Sequence, residues 1–135
     1  MAWKRMNSDL LFDTHSFIWW ADASKKLSPD ALAALEDENN RLFLSDVSIW
    51  EMQIKVQLGK MKLKLPLPDL IESQKTNNDV EILHITTEHI LELDKLPFHH
   101  KDPFDRLLIA QSIFENFTII TVDSEFSAYP AKLLW

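Results

Sequence analysis

Cysteine is absent from the 135 residues, which excludes disulfide frameworks, thiolate zinc sites and cysteine nucleophiles together. Oxygen and imidazole are left as the candidate ligands. Glycine is nearly absent as well. The single one is Gly59, whereas phosphate-cradling loops of the Walker or Rossmann type need two or more. Positive charge is in deficit, with 14 Lys and Arg against 21 Asp and Glu and a formal net charge of −7. That balance disfavours a protein that holds nucleic acid through a broad basic surface, although a bound cation would offset part of it. No uninterrupted apolar run approaches the roughly 18 residues that span a bilayer. The opening MAWKRMNSD carries Lys4 and Arg5 but lacks the long apolar core and small-residue cleavage site of a secretory signal. A cytoplasmic protein with no membrane association is expected.

What the chain does have is one domain's worth of core and a regular alternation. With 46% hydrophobic and 26% charged residues, its size suits one globular domain. Short strand-type runs occur at Asp9 to Phe12, Arg41 to Leu44, Val80 to Ile85 and Phe117 to Val122, each too short and too β-branched or aromatic to favour helix. Helical segments lie between them. Ser28-Pro29 reads as an N-cap with proline in the first helical position and a helix to about Asn39. Ser45 caps a helix from Asp46 to about Leu58, ended by Gly59. After the proline-bearing stretch Leu65 to Pro68, Asp69 to Lys75 allows another helix; Thr87 caps one over about Glu88 to Leu96. Asp102-Pro103 opens the last long helix, through about Glu115. Strands alternating with helices predict a three-layer α/β/α sandwich on a mainly parallel sheet of four or five strands. Such sheets bind ligands beyond the carboxyl ends of their strands.

Four carboxylates stand at predicted strand ends or inward positions. Asp13 follows Leu10-Leu11-Phe12, and Asp123 follows Ile119-Ile120-Thr121-Val122. Glu51 shares the helical stripe Val47, Glu51, Ile54, Leu58, which should face the core, and Asp105 precedes the apolar Leu107-Leu108-Ile109-Ala110. Buried ionised carboxylates are normally paired, protonated or metal-bound. No set of basic residues shares their contexts, so a divalent cation is the economical explanation. Each acid also has a plainer reading. Asp13 and Asp123 suit strand-end caps, and Glu51 has Lys55 four residues on as a surface partner.

Asp102 at the N-cap is mainly a capping residue, whereas Asp105, at the third helical position, is favoured there by the helix dipole with or without a metal. Arg106 either steers phosphate or pairs with an acid. Lys55, Lys60, Lys62 and Lys64 form a local basic strip suited to a phosphate backbone or simply to solvent. His15 is a neighbour of the site at most. His99 and His100 lack zinc-ligand spacing, and His84 and His89 read as structural. Ser45, Ser48, Thr14 and Thr121 suit caps and supporting hydroxyls better than nucleophiles. The tryptophans Trp19, Trp20, Trp50 and Trp135 suit core packing or a subunit interface better than base stacking.

The order LLFDTHSFIWW, SDVSIWEMQIKVQLGK, HKDPFDRLLIAQ, TIITVDSEFSAY resembles a PIN domain, and most closely the VapC-type toxins of bacterial toxin-antitoxin modules. The likeness covers residues 9–135 as a single nuclease domain, with 1–8 as an amino-terminal extension. It implies a metal-dependent endoribonuclease whose acids fall on Asp13, Glu51, Asp105 and Asp123. Asp102 and Thr121 would support them, with Thr14 and Arg106 nearby. The resemblance further implies RNA as substrate, a cognate antitoxin that covers the site, and a homodimer. Carboxylate oxygens suit Mg²⁺, with Mn²⁺ as substitute. The cation would activate a water for in-line displacement, with Glu51 as a further ligand or as the base that orients the water. The alternative is a catalytically inert PIN-like module that captures a protein partner. An aspartyl-phosphate phosphatase would want an acid where His15 stands.

Overall fold

The computed structural model describes residues 8–135; of the expected extension over 1–8, only Ser8 lies among them. The elements in order are β1 (Asp9–Phe12), α1 (Thr14–Asp22), α2 (Pro29–Glu36), β2 (Arg41–Ser45), α3 (Asp46–Gln57), α4 (Leu67–Asn78), β3 (Glu81–Leu83), α5 (Thr87–Glu92), α6 (Pro103–Glu115), β4 (Thr118–Ile120) and β5 (Lys132–Leu134). All strand pairs are parallel, in the order β3-β2-β1-β4-β5.

Strand alternation distributes the core over both faces of the sheet. Leu10 and Phe12 of β1, with Leu42 and Leu44 of β2, pack in one cluster with Phe17 of α1, Ala31 and Leu35 of α2, and Leu67 and Leu70 of α4. Leu11 and Phe43 point the other way, into a cluster with Leu108, Ile109 and Ala110 of α6. This is the period of two expected of strands, with helices covering each face as a parallel sheet requires. The expected α/β sandwich is the fold.

Caps set most of the boundaries. Ser28 Oγ accepts from the Ala31 amide at 3.0 Å, Ser45 Oγ from Val47 at 2.9 Å, and Asp102 Oδ1 from Phe104 at 2.8 Å. Gly59, at φ +70°, ends α3, and the Lys60 amide closes back on the Lys55 carbonyl at 2.8 Å, as left-handed helix ends do.

Some boundaries differ from expectation. Thr86, not Thr87, caps α5: its hydroxyl accepts from the His89 amide while His89 Nδ1 accepts from the Thr86 amide. α5 gives way to a 3₁₀ turn at Leu93–Lys95, since Leu96 before Pro97 is held extended. α2 stops at Glu36 because Asp37 is extended and its carboxylate takes the Asn39 amide instead. α4 is longer than expected and ends at Asp79 in the left-handed region.

The chain runs outward through β1, β2 and β3, then returns to place β4 on the other side of β1. A crevice therefore opens between the carboxyl ends of β1 and β4, the topological switch point where open α/β sheets bind ligands. Asp13 and Asp123 follow those strands.

Candidate active site

Asp13 is locked across this seam. Its amide donates to the Ile120 carbonyl at 3.2 Å, Oδ1 accepts from the Ser16 amide at 2.8 Å, and Oδ2 accepts from Thr121 Oγ1 at 2.6 Å. Burial raises the pKa of its carboxyl, against the pull of the Thr121 hydroxyl and of Ser16. Thr121 reaches both sides, because its Oγ1 also accepts from the Asp123 amide at 3.0 Å. Asp123 Oδ1 in turn takes the Glu125 amide at 2.9 Å and starts a 3₁₀ turn.

Glu51 enters from the second turn of α3 and is buried. Oε1 accepts from Thr14 Oγ1 at 2.6 Å, and Oε2 pairs with Lys55 Nζ at 2.7 Å. The expected stripe is only half right: Val47 and Glu51 face inward, but Leu58 is 62% exposed. The buried residues of α3 end at Met52, so its last turn projects beyond the core.

Asp105 sits in the first turn of α6, its amide 3.3 Å from Asp102 Oδ1. Its carboxyl is pushed up to about 7, by burial first, then by the charges of Asp102, Glu51 and Asp123, with His100 pulling the other way. Acids that converge with little countercharge form a candidate cation site. Their hard oxygen donors fit a divalent ion such as Mg²⁺. Asp13, Glu51, Asp105 and Asp123 line one cavity of about 420 Å³, together with Thr14, Lys55 and Asp102, and with His15 and Trp19 beside them. A wider hollow of about 550 Å³ lies at the amino ends of β2 and β3, but its arginine, Arg41, is already paired bidentately with Glu81, and among the described residues no group of potential metal ligands converges there.

Three expectations need correction. Basic groups do share the acids' surroundings: Lys55 pairs with Glu51, and His100 lies between the carboxylates. Arg106 neither steers phosphate nor meets an acid, because one step along α6 from Asp105 turns it about 100° away. Its guanidinium is buried, donating to the Pro97 carbonyl at 2.8 Å, to Tyr129 Oη at 3.2 Å and to the Leu96 carbonyl at 3.3 Å. His84, expected to be structural, is an exposed partner of Asp46 at 3.0 Å.

His100 is the residue that sequence reasoning passed over. It is 9% exposed, and its Nε2 lies 3.0 Å from Asp105 Oδ2 and 4.0 Å from Asp123 Oδ2. A ligand atom from each of these three residues lies within 4.8 Å of the others. The signal was its place two residues before the N-cap of α6, where a side-chain acceptor can take the cap's own amide; Asp102 N donates to Nδ1 at 3.2 Å.

Fold and site together define an open parallel α/β protein with a cluster of carboxylates, a candidate cation site, at its switch point. The PIN domain family model matches residues 10–132, and the chain belongs to that family, whose members are generally nucleases. VapBC2 from Rickettsia felis, solved bound to a DNA fragment from its promoter, superposes at a TM-score of 0.71 with 18% identity, over 93% of this chain and 97% of that one. FitAcB from Neisseria gonorrhoeae gives 0.58 and 16%, over 93% and 96%. VapBC-5 from Mycobacterium tuberculosis, a member of the VapBC family of toxin-antitoxin systems, gives 0.57 and 17%, over 94% and 96%. At these identities the likeness is one of fold. No curated protein sequence matches the chain. Among the described residues no helix is long and apolar enough to cross a membrane.

Proposed function

We propose that this protein is a divalent-cation-dependent endoribonuclease, the toxin of a cytoplasmic toxin-antitoxin pair, with its catalytic domain over residues 9–135. The observation that carries the reading is the meeting of Asp13, Glu51, Asp105 and Asp123 on one cavity of a PIN domain. Mg²⁺, or Mn²⁺ in its place, would be held by Asp13, Asp105 and Asp123. When bound, such an ion polarises a phosphoryl oxygen and makes water a nucleophile near neutral pH.

The chain's own groups do the rest. Thr121 and Ser16 fix both oxygens of Asp13, so the carboxylate loses little freedom on loading. Asp102 orders the first turn of α6 and with it Asp105. Glu51, with Thr14 on one oxygen and Lys55 on the other, is better placed to orient a water than to hold an ion alone.

A cognate antitoxin and a second copy of the chain are the proposed protein partners. The apolar side chains left exposed, among them Trp50, Leu91, Phe98 and Phe114, support burial against another surface.

The test is total RNA incubated with the purified chain and its Asp13→Asn variant, with Mg²⁺ or with EDTA. The parent should make discrete cuts only with the ion, and the variant none while melting as a folded protein. Equal cutting by the variant, or in EDTA, would refute the assignment. A parent that neither cuts nor binds Mn²⁺ in calorimetry would instead be the inert partner-capturing module.

A further inference from the structure

We propose that His100 is a positioning residue for Asp105, fixed in the tautomer that donates from Nε2 and therefore excluded from ligating the cation; this rests on the reading that the four acids hold a divalent ion. The ring is buried and packed. It packs edge-on against Phe126, with centroids 6.1 Å apart at 74°, and its own backbone amide donates to Tyr129 Oη at 2.8 Å. Tyr129 Oη donates onward to the Pro97 carbonyl at 2.9 Å, which Arg106 also holds. The loop that carries His100 is thus tied at both ends to buried groups.

The tautomer follows from Nδ1. That atom takes the Asp102 amide, so in the neutral ring it has no proton and Nε2 carries it. A histidine that binds a metal does the reverse: one nitrogen gives its lone pair to the ion, and the other donates its N–H to an acceptor. Here the other nitrogen faces a donor. Closeness to Asp105 and Asp123 therefore does not make His100 a ligand.

Nε2 is buried and makes no hydrogen bond of good geometry, yet Asp105 Oδ2 lies 3.0 Å away and Glu125 Oε2 3.8 Å away. A buried N–H left without an acceptor is costly, and a small rotation of the Asp105 carboxylate supplies one. Donation to Oδ2 turns the other oxygen of Asp105 toward the cavity. His100 thereby sets which carboxylate oxygen is offered, and leaves a hard, oxygen-only donor set.

Two substitutions separate this role from mere support of the loop. His100→Asn keeps an acceptor where Nδ1 stands but nothing at Nε2; His100→Gln keeps a donor that reaches Asp105 but loses the acceptor for Asp102. Mn²⁺ affinity measured by calorimetry should fall about 10- to 100-fold in the Asn variant and within about threefold of the parent in the Gln variant, the range seen when a ligand's supporting partner is lost or kept. In the parent, long-range ¹H–¹⁵N spectra of the His100 ring should show the proton on Nε2 both without and with Mg²⁺. The proposal is overturned if the Asn variant binds like the parent while the Gln variant does not. It is equally overturned if the Mg²⁺-loaded or Zn²⁺-loaded ring shows a metal on Nε2 and a proton on Nδ1. A parent that binds no Mn²⁺ removes the cation reading itself, a distinct result, since the tautomer in the ion-free ring is still read in the same spectra.

Discussion

Replacing Asp105 by Asn should stabilise the ion-free protein, and by an amount that depends on pH in a defined direction. Burial and the neighbouring acids raise the carboxyl from 3.8 to about 7, so the folded state holds a proton that the unfolded chain releases. Below pH 3.8 both states are protonated and the group is neutral to stability. As pH rises toward 7 the unfolded state is increasingly favoured, and above 7 the penalty is constant. The full shift corresponds to a ceiling of about 4 kcal/mol. The side chain is one-fifth exposed, and screening by solvent in the open cavity reduces the effect to roughly 2 kcal/mol. For a domain of this size that is a rise in Tm of about 8 °C at pH 8. The assay is thermal unfolding of parent and variant in EDTA from pH 5 to pH 8. The gap should narrow toward pH 5. Adding Mn²⁺ should lift the parent's Tm and leave the variant's nearly still, because only the parent keeps its full ligand set. An Asn variant no more stable than the parent at pH 8, or a gap that widens toward pH 5, would show that Asp105 is not under the electrostatic load described.

Three further substitutions have separable outcomes. Thr121→Val removes the 2.6 Å bond to Asp13 and leaves a buried carboxylate oxygen without its donor; chemical unfolding should show a loss of about 1–3 kcal/mol, and calorimetry weaker Mn²⁺ binding. Arg106→Lys cannot reproduce a guanidinium shared among two carbonyls and Tyr129, so urea midpoints should fall by the equivalent of about 2 kcal/mol. Asp102→Ala should cost about 1 kcal/mol through loss of the α6 cap, measured the same way, with RNA cleavage reduced but not abolished.

Local chemistry made much of this readable beforehand. Ser28, Ser45 and Asp102 cap where a hydroxyl or carboxylate can reach a free amide two or three residues on, and Gly59 ends α3 because the chain turns there through the left-handed region. Period-two alternation put Leu10 and Phe12 opposite Leu11. The four acids were legible because each breaks such a local pattern. What escaped were partnerships between distant residues. His100 looks idle in sequence because its meaning depends on Tyr129 and Phe126, far along the chain, and Arg106 looks functional beside Asp105 because helix phase matters more than adjacency. Leu58 continues the spacing of an inward stripe, yet among the described residues it is left exposed at the end of α3. Lys132–Leu134 has too short an apolar run to declare itself a strand until β4 offers it a partner.

The bond from the Asp13 amide to the Ile120 carbonyl joins positions near opposite ends of the chain. The acidic cluster cannot assemble until Asp13 meets neighbours across the seam that are made 108 residues later, as with Thr121. Pairing of β1 with β4 is also a distant contact of the kind that forms slowly. A ribosome making this protein therefore carries a chain without the assembled acidic cluster until Thr121 and Asp123 have been added.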